Sequence, residues 1–411
     1  MTQHTKVSTD RAQRYSLAME FAGQQLRHLI EAYPDSFPMY TLAGKWVIGG
    51  ETWTNWCEGF LGGQLWLLYG YTGDLYWRDQ AKHYSRLIEH RKTDRSVHDL
   101  GFLFWPTWKR WYDLTRDQAI NAVVIEAGRT LALRFKERGG YLCSFVADES
   151  LFIDIMMNVG LIFYAAQQTG DAELMRIAER HCLTTRRYLV RGDGSTAHEG
   201  IFDTTTGEFL RQSTHQGWRG DSSWARGQAW ALYGFATAYT FTGDQRFLRT
   251  AEACADYYIE RTPLSGVPPN DWDEPNPALP YESSAAAIAA SGMLDLARLT
   301  PDPGSSLRYR DYALRILDTL TGPEFLAIET PGWEGILYPG GTGSWSAGLA
   351  NRANIVGRRC RGRACPCPIG RPPGLPLSAG TPLPVNLSHT RAGWQLPLTD
   401  PHAIIHPAQV R

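Results

Sequence analysis

The stretch GFLGGQLWLLYGYTGDLYWRDQAKHYSRLIEH, residues 59–90, decides the fold, because it places two helices of different character around one turn. The first half consists mostly of small and apolar residues, on every face of the predicted helix, which is typical of a helix buried on every side. Its second half carries apolar residues at helical spacing with charges between them, which predicts an amphipathic helix that covers a core. Between the halves, Gly73 suits a helix C-cap and Asp74 suits the next N-cap. The stretch therefore predicts a hairpin of an inner and an outer helix.

The turn signal of this hairpin recurs along the chain. It reads YTGD at 71–74, LTRD at 114–117, QTGD at 168–171, FTGD at 241–244 and LTPD at 299–302. Each copy follows an apolar segment and precedes an amphipathic one, and such repetition indicates a stacked or closed array of hairpins. A further helix at about 10–32 brings the helices to eleven. A twelfth would close an all-α, six-hairpin α/α barrel. The alternative is an open solenoid, but the inner segments are too apolar to line an open groove.

Composition excludes several classes of function. The 411 residues contain 41 Lys and Arg against 42 Asp and Glu, so no charge excess predicts a nucleic acid or an anionic membrane as partner. We expect no signal peptide and no membrane span, because residues 1–21 show no apolar stretch and no apolar run reaches the roughly 18–20 residues that span a bilayer. Single cysteines are scattered through the body, which favours the cytoplasm. Nothing has metal-ligand spacing, and we expect no metal or cofactor.

Polar residues at the starts of inner helices are the first candidates for a site, because these starts gather at one rim of such a ring. Asp99, in SVHDLGF (96–102), precedes an apolar helix, and an ordinary helix cap is the alternative role for it. Asp154, in SLFIDIMMNVGL (150–161), lies among apolar neighbours, where an ionised carboxylate is costly unless it is paired or its pKa rises. Asn158, one turn on, is in reach to hydrogen-bond it. The alternative is a buried Asp satisfied by backbone amides.

Three further segments bring polar and aromatic side chains that suit ligand binding to the same rim. They are ETWTNWCEGF (51–60), GSTAHEGIFD (194–203) and THQGWRGDSSWARGQAW (214–230). On a helix, Arg226 and Trp230 share a face, with Trp224 and Gln228 pointing roughly opposite. Two carboxylates, aromatic faces, an Arg and a Gln suit an acidic sugar, because a guanidinium fork matches a planar carboxylate. A carboxyl in apolar surroundings also suits general acid catalysis, because its pKa rises.

Several motifs together resemble the unsaturated glucuronyl hydrolases of glycoside hydrolase family 88. They are HDLGF, IDIMMN, HQGW, DSSWARGQAW and YESSAAAIAASGMLDLA (281–297), and the resemblance runs from about residue 10 to about residue 340. It implies a six-hairpin α/α barrel that acts on oligosaccharides made by polysaccharide lyases, which carry a 4,5-unsaturated uronic acid at the non-reducing end. An acid protonates C4 of the enol ether, water adds at C5, and the hemiketal opens with loss of the glycosidic bond.

The resemblance also implies roles for individual residues. Asp154 matches the general acid and base, and Asp99 matches a second Asp that contacts the sugar and assists. The positions implied to bind substrate are Trp53, His98, Phe145, His198, His215, Gln216, Arg226 and Trp230. Phe145 stands where the family has a stacking Trp, and His215 where sulfate-preferring members have Arg, which favours unsulfated substrates. Trp224 and Gln228 are expected to pack behind Arg226 and Trp230.

The C-terminal part departs from the family pattern. After GWEGILYPGG (332–341) the chain turns rich in Pro, Gly, Arg and Cys, without apolar periodicity. We expect a catalytic domain at 1–344 and a disordered tail at 345–411, and a shifted reading frame is the alternative explanation. Without a twelfth helix, apolar faces at Leu26, Leu29 and Ile30 and at Ile288 and Leu294 are expected to be partly exposed. The alternative functions are an unsaturated rhamnogalacturonyl hydrolase and a catalytically impaired sugar-binding toroid.

Overall fold

The chain folds as an α/α barrel built from hairpins of an inner and an outer helix. The computed structural model describes residues 2–49, 52–275 and 281–337, except for the side chains of 2–9 and 52–54. In the described ranges the helices are α1 (Thr2–Ala32), α2 (Glu58–Thr72), α3 (Leu75–Leu87), α4 (Leu100–Phe104), α5 (Arg110–Thr115), α6 (Gln118–Ala132), α7 (Gly160–Thr169), α8 (Ala172–Tyr188), α9 (Ala225–Thr242), α10 (Gln245–Arg261), α11 (Ser283–Leu299) and α12 (Pro303–Leu320). A π-helical turn joins α4 to α5, so that the two form one inner helix. The other four inner helices are α2, α7, α9 and α11.

The five repeated turns have the predicted geometry. Each Asp is the N-cap of the outer helix that follows, and its carboxylate accepts a hydrogen bond from a backbone N–H two or three residues on; these are Asp74, Asp117, Asp171, Asp244 and Asp302. In the first four turns the residue before the Asp has a left-handed backbone, with φ of 60–70°. Each Asp satisfies free N–H groups at the start of the outer helix. The chain therefore begins a new helix at this point and does not continue the inner one.

Short sheets at the rim were not predicted. Strands β1 (Pro38–Leu42) and β2 (Lys45–Ile48) pair antiparallel after α1, and β3 (Phe135–Lys136) pairs with β4 (Tyr141–Leu142). Strands β5 (Ser150–Phe152), β6 (Glu199–Phe202) and β7 (Phe209–Ser213) form a three-stranded antiparallel sheet. Strands β6 and β7 come from the long segment between α8 and α9. Their pairing with β5 places residues 198–199 beside the start of α7.

Helix α1 lies in the outer layer, between α3 and α12. Arg27 stacks on Tyr76 of α3 at 4.0 Å, and Arg11 donates to Asp318 of α12 at 2.7 Å. The expected partial exposure is wrong for Leu26, Leu29, Ile30 and Ile288, which are buried, whereas Leu294 is partly exposed as expected. The face of α1 packs in one core with Met39, Trp46, Ile336 and Leu337, because the β1–β2 hairpin and the segment after α12 cover it. The expected tail at 345–411 lies outside the described residues.

In the described ranges, no helix combines the length and the apolar character that a bilayer crossing needs. The four cysteines in these ranges, Cys57, Cys143, Cys182 and Cys254, are buried free thiols.

Candidate active site

A close backbone approach brings the two candidate carboxylates together. A Cβ added to Gly101 would lie 2.5 Å from the Cα of Asn158, so only glycine lets the first turn of α4 rest on the 3₁₀ turn Ile153–Met157. The side-chain oxygen of Asn158 accepts a hydrogen bond from the backbone N–H of Phe102 at 2.9 Å, which fixes the contact. Asp99, just before α4, and Asp154, in the 3₁₀ turn, therefore face one site.

Asp99 is held as a buried carboxyl beside a histidine. It is the N-cap residue of α4, yet its side chain makes no capping hydrogen bond, so the alternative role as an ordinary cap is wrong. Its Oδ1 lies 3.3 Å from Nε2 of His98, and Nδ1 of His98 accepts the N–H of Phe145 at 3.0 Å. Burial lowers the pKa of His98 to about 3. Burial, together with the negative charge of Asp154, raises the pKa of Asp99 to about 8. Asp99 therefore carries a proton at neutral pH.

Asp154 is also held beside a histidine, but its pKa shifts in the opposite direction to that of Asp99. Its Oδ2 lies 3.5 Å from Nε2 of His198, and Nδ1 of His198 accepts the N–H of His215 at 3.0 Å. Burial acts to raise the pKa of Asp154, but contact with His198 and the fields of His98 and Arg226 outweigh burial and lower the pKa. The expectation of a raised pKa therefore fits Asp99 and is wrong for Asp154. With 13% of its side chain exposed against 7% for Asp99, Asp154 is the more accessible carboxyl.

Asn158 braces the pair differently from the prediction. Its amide donates to the main-chain oxygen of Asp154 at 3.1 Å, while its side-chain oxygen accepts the N–H of Phe102 in α4. The alternative for Asp154, a carboxylate satisfied by backbone amides, is wrong as well, because Oδ2 of Asp154 and Nε2 of His198 are buried without a closer hydrogen-bond partner in the described chain. Unsatisfied buried polar atoms at one place indicate where a polar ligand binds.

Arg226 lies at the start of α9 with its guanidinium 2% exposed. It donates to Oε1 of Glu282 at 2.9 Å and to Oε1 of Gln216 at 2.9 Å. Trp224 stacks against it at 4.5 Å, which corrects the prediction that Trp224 points away. The helical-face argument failed there because Trp224 is the extended N-cap residue and not part of the helix. Gln228 does brace from behind, bonding the carbonyls of Gly194 and Cys254.

The remaining predicted residues divide by exposure. His198 is buried, which overturns its alternative as a surface-loop residue, and Trp230 is 2% exposed with its ring 5.0 Å from that of Phe102. Phe145 is 40% exposed and stacks on His98 at 5.3 Å. His215 is half exposed at the mouth of the site. The side chain of Trp53 lies outside the described residues.

Two buried glutamates were missed from the sequence. Glu199 follows His198 on β6 and is 1% exposed, and Glu282, also 1% exposed, is the N-cap residue of α11 and the partner of Arg226. Glu282 was detectable, because YESS carries a polar residue at the start of an inner helix, the same signal that marked Asp99. Glu199 depends on strand pairing that no pattern indicated. In the described part of the chain, no three His, Cys, Asp or Glu side chains are grouped as metal ligands.

Comparison with known proteins gives consistent matches. The model of Glycosyl Hydrolase Family 88 matches residues 36–262. Unsaturated glucuronyl hydrolase from Bacillus sp. (strain GL1) is 35% identical over 281 residues, 65% of this chain and 74% of that protein. Unsaturated chondroitin disaccharide hydrolase from Streptococcus pyogenes serotype M1 is 30% identical over 69% of this chain and 73% of that protein.

The solved structures agree with the sequence matches. The crystal structure of the Bacillus sp. GL1 enzyme, described as responsible for the degradation of glycosaminoglycan, superposes with a TM-score of 0.75 at 30% identity. The match covers 82% of this chain and 92% of that chain. The matches do not favour the rhamnogalacturonyl alternative or the impaired toroid.

Proposed function

The chain belongs to glycosyl hydrolase family 88, and we propose that it releases 4,5-unsaturated glucuronic acid from the non-reducing end of lyase-generated oligosaccharides. The observation that carries the proposal is that two buried carboxyls face one site, each beside a histidine: Asp99 lies 3.3 Å from His98 and Asp154 lies 3.5 Å from His198. The pKa of Asp99 is raised and that of Asp154 is lowered, and carboxyls whose pKa values are pushed apart suit proton transfer to and from a double bond.

The chemistry is a hydration. Asp154 gives a proton to C4 of the C4=C5 enol ether, and positive charge develops at C5, shared with the ring oxygen. Asp154, now a carboxylate, takes a proton from the water that attacks C5. The hemiketal at C5 then opens to a ketone, and the former acetal at C1 collapses to an aldehyde as the next sugar leaves with its oxygen. The distance between two carboxylates, which predicts retention or inversion in ordinary glycosidases, has no such meaning here.

The protonation states of the pair fit this sequence of steps. In the free enzyme we assign the proton of the pair to Asp99, because burial and the charge of Asp154 raise the pKa of Asp99 to about 8. The uronate brings its own carboxylate close to Asp154, and a nearby like charge raises the pKa of a carboxyl. The proton then passes to Asp154, which is the carboxyl more accessible to the ligand. His98 and His198 keep their Nε2 hydrogens toward the pair, since backbone N–H groups occupy both Nδ1 atoms.

Absorbance gives the direct assay. The conjugated double bond of an unsaturated uronide absorbs in the ultraviolet, and hydration destroys it. We expect absorbance to fall when the protein is mixed with unsaturated disaccharides from glycosaminoglycans, while the matched saturated glucuronides are not cleaved. Cleavage of saturated glucuronides without consumption of unsaturated ones would overturn the proposal.

Arg226 supplies the positive field for the uronate carboxylate, and its fork also holds Gln216 and Glu282. We expect Arg226→Lys to raise KM by about one to two orders of magnitude, the equivalent of about 1–3 kcal/mol, because an ammonium cannot keep both partners. The matched control is Arg246→Lys, at an exposed ion pair with Asp244, which should leave KM unchanged. An unchanged KM in Arg226→Lys would assign this residue to packing alone.

We also propose a cytoplasmic location, supported by the free thiols of the described cysteines.

A further inference from the structure

The guanidinium of Arg134, between α6 and β3, joins two separate segments of the main chain. Its Nε donates to the carbonyl of Cys143 at 2.8 Å, its Nη2 to the carbonyl of Ser144 and its Nη1 to the carbonyl of Arg95. The backbone N–H of Cys143 donates in return to the carbonyl of Arg134 at 3.0 Å. Three nitrogens in one rigid plane allow a single side chain to bond three carbonyls at once. We call this set of bonds the Arg134 clamp.

Both segments that the clamp joins carry residues of the candidate site. One segment, 95–99, ends with His98 and Asp99, and the other, 143–145, ends with Phe145. The backbone N–H of Phe145 donates to Nδ1 of His98 at 3.0 Å, and the two rings stack with their centres 5.3 Å apart. On the other side of the ring, Nε2 of His98 lies 3.3 Å from Oδ1 of Asp99. The place of the His98 ring therefore depends on both segments.

The bond from Phe145 also decides which nitrogen of His98 carries the hydrogen. Burial lowers the pKa of His98 to about 3, so the ring is neutral at the pH of the reaction. Because Nδ1 accepts a backbone N–H, the hydrogen of the neutral ring is on Nε2, the nitrogen on the side of Asp99. If the two segments moved apart, Nδ1 would lose its donor and the other tautomer would become available.

We propose that Arg134 is a positioning residue of the site: by tying segment 95–99 to segment 143–145, it fixes the His98 ring in one orientation and one tautomer beside Asp99. The consequence for catalysis rests on the proposed function, whereas the consequence for His98 does not. Lysine cannot replace this arginine, because its single nitrogen cannot reach carbonyls arranged around a planar group of three nitrogens.

The surroundings of Asp99 give the clamp a measurable effect on pH dependence. Burial raises the pKa of Asp99 to about 8, and the charge of Asp154 adds to the effect. The positive charges of Arg134 and Arg91 oppose it, and neighbouring His98 is neutral. Since burial is the largest cause, a loosened segment that admits water should lower the pKa of Asp99.

Arg134→Lys tests the clamp, because it keeps the positive charge that acts on Asp99 and removes the planar group. We expect kcat/KM at pH 7 on an unsaturated disaccharide to fall by about 10- to 100-fold, the scale of a small misplacement in a site. The fall of activity with rising pH, which follows the pKa of Asp99, should begin about half a pH unit lower or more. The matched control is Arg129→Lys, at an exposed arginine of α6, which should change neither quantity.

Nitrogen NMR of ¹⁵N-labelled histidine reads the tautomer of His98 without any need for activity, and the loss of its signals in His98→Asn assigns them. The wild type should show hydrogen on Nε2 alone, and Arg134→Lys should show a mixture. Either an unmoved pH profile or an unchanged tautomer in Arg134→Lys overturns the inference, whatever happens to Tm, because a purely structural arginine would change Tm alone.

The wild type decides the matter if Arg134→Lys does not fold. A mixture of tautomers at His98 in the wild type would then overturn the inference, and hydrogen on Nε2 alone would support it. If the wild type consumes no unsaturated disaccharide, the proposed function fails, but the tautomer of His98 still tests the clamp.

Discussion

Asp154→Asn is expected to lower kcat by at least about 10²–10⁴-fold at every pH, with substrate binding retained. The amide keeps the shape of the carboxyl but can neither give a proton to C4 nor take one from water. Because the variant removes a buried negative charge next to His198, it should fold as well as the wild type. Steady-state kinetics on an unsaturated disaccharide measure the loss, and equilibrium binding to the inactive variant measures what is retained.

The matched control is Asp256→Asn, on the outer helix α10, where the carboxylate pairs with Arg308 at the surface. It should leave both kcat and KM unchanged. Near wild-type turnover in Asp154→Asn would show that another group exchanges protons with the substrate, and the proposed mechanism would be wrong.

Asp99→Asn is expected to change the pH dependence as well as the rate. The pKa of Asp99 is raised to about 8, so the wild-type pair keeps its proton below pH 8 and kcat/KM should fall as the pH rises through that value. Asn cannot hold this proton, and the lowered pKa of Asp154 leaves the remaining carboxyl ionised at neutral pH. Activity at pH 7 should therefore drop by about 10²–10⁴-fold.

The shape of the profile separates this role from simple packing. In Asp99→Asn the alkaline limb near pH 8 should be absent, and activity should rise steadily toward acid pH, since the apparent values belong to the pair. A variant with reduced activity but an unchanged limb near pH 8 would mean that the limb reports another group, and that Asp99 does not hold the proton.

The periodic features of the fold were predictable because each depends on neighbours in sequence. The TGD-type turns gave the hairpins, and the caps at Asp74 and its four counterparts confirm them. The β5–β6–β7 sheet was missed, because its strands come from separate segments whose pairing no local pattern specifies. Since Glu199 depends on that sheet, it was missed as well.

The protonation states of the site were predicted less well than its composition. The apolar neighbours of Asp154 pointed to a raised pKa, but the fields of His198, His98 and Arg226 reverse the effect of burial. His198 comes from β6 and Arg226 from α9, far along the chain, so no count of local apolar residues could include them. Asp99, which looked like a helix cap, has the raised pKa because folding buries it next to Asp154.

If Asp154 protonates C4 to start hydration of the double bond, the position of solvent hydrogen in the product reveals it. The reaction is run in D₂O on an unsaturated disaccharide, and the released uronic acid is examined by NMR. A proton delivered to C4 by one carboxyl arrives from one face, so we expect one deuterium, at a single one of the two C4 positions. If the bond at C1 were cleaved first and the released unsaturated sugar then rearranged in solution, the single deuterium would be distributed over both C4 positions, and that result would rule out protonation of C4 by Asp154 as the first step.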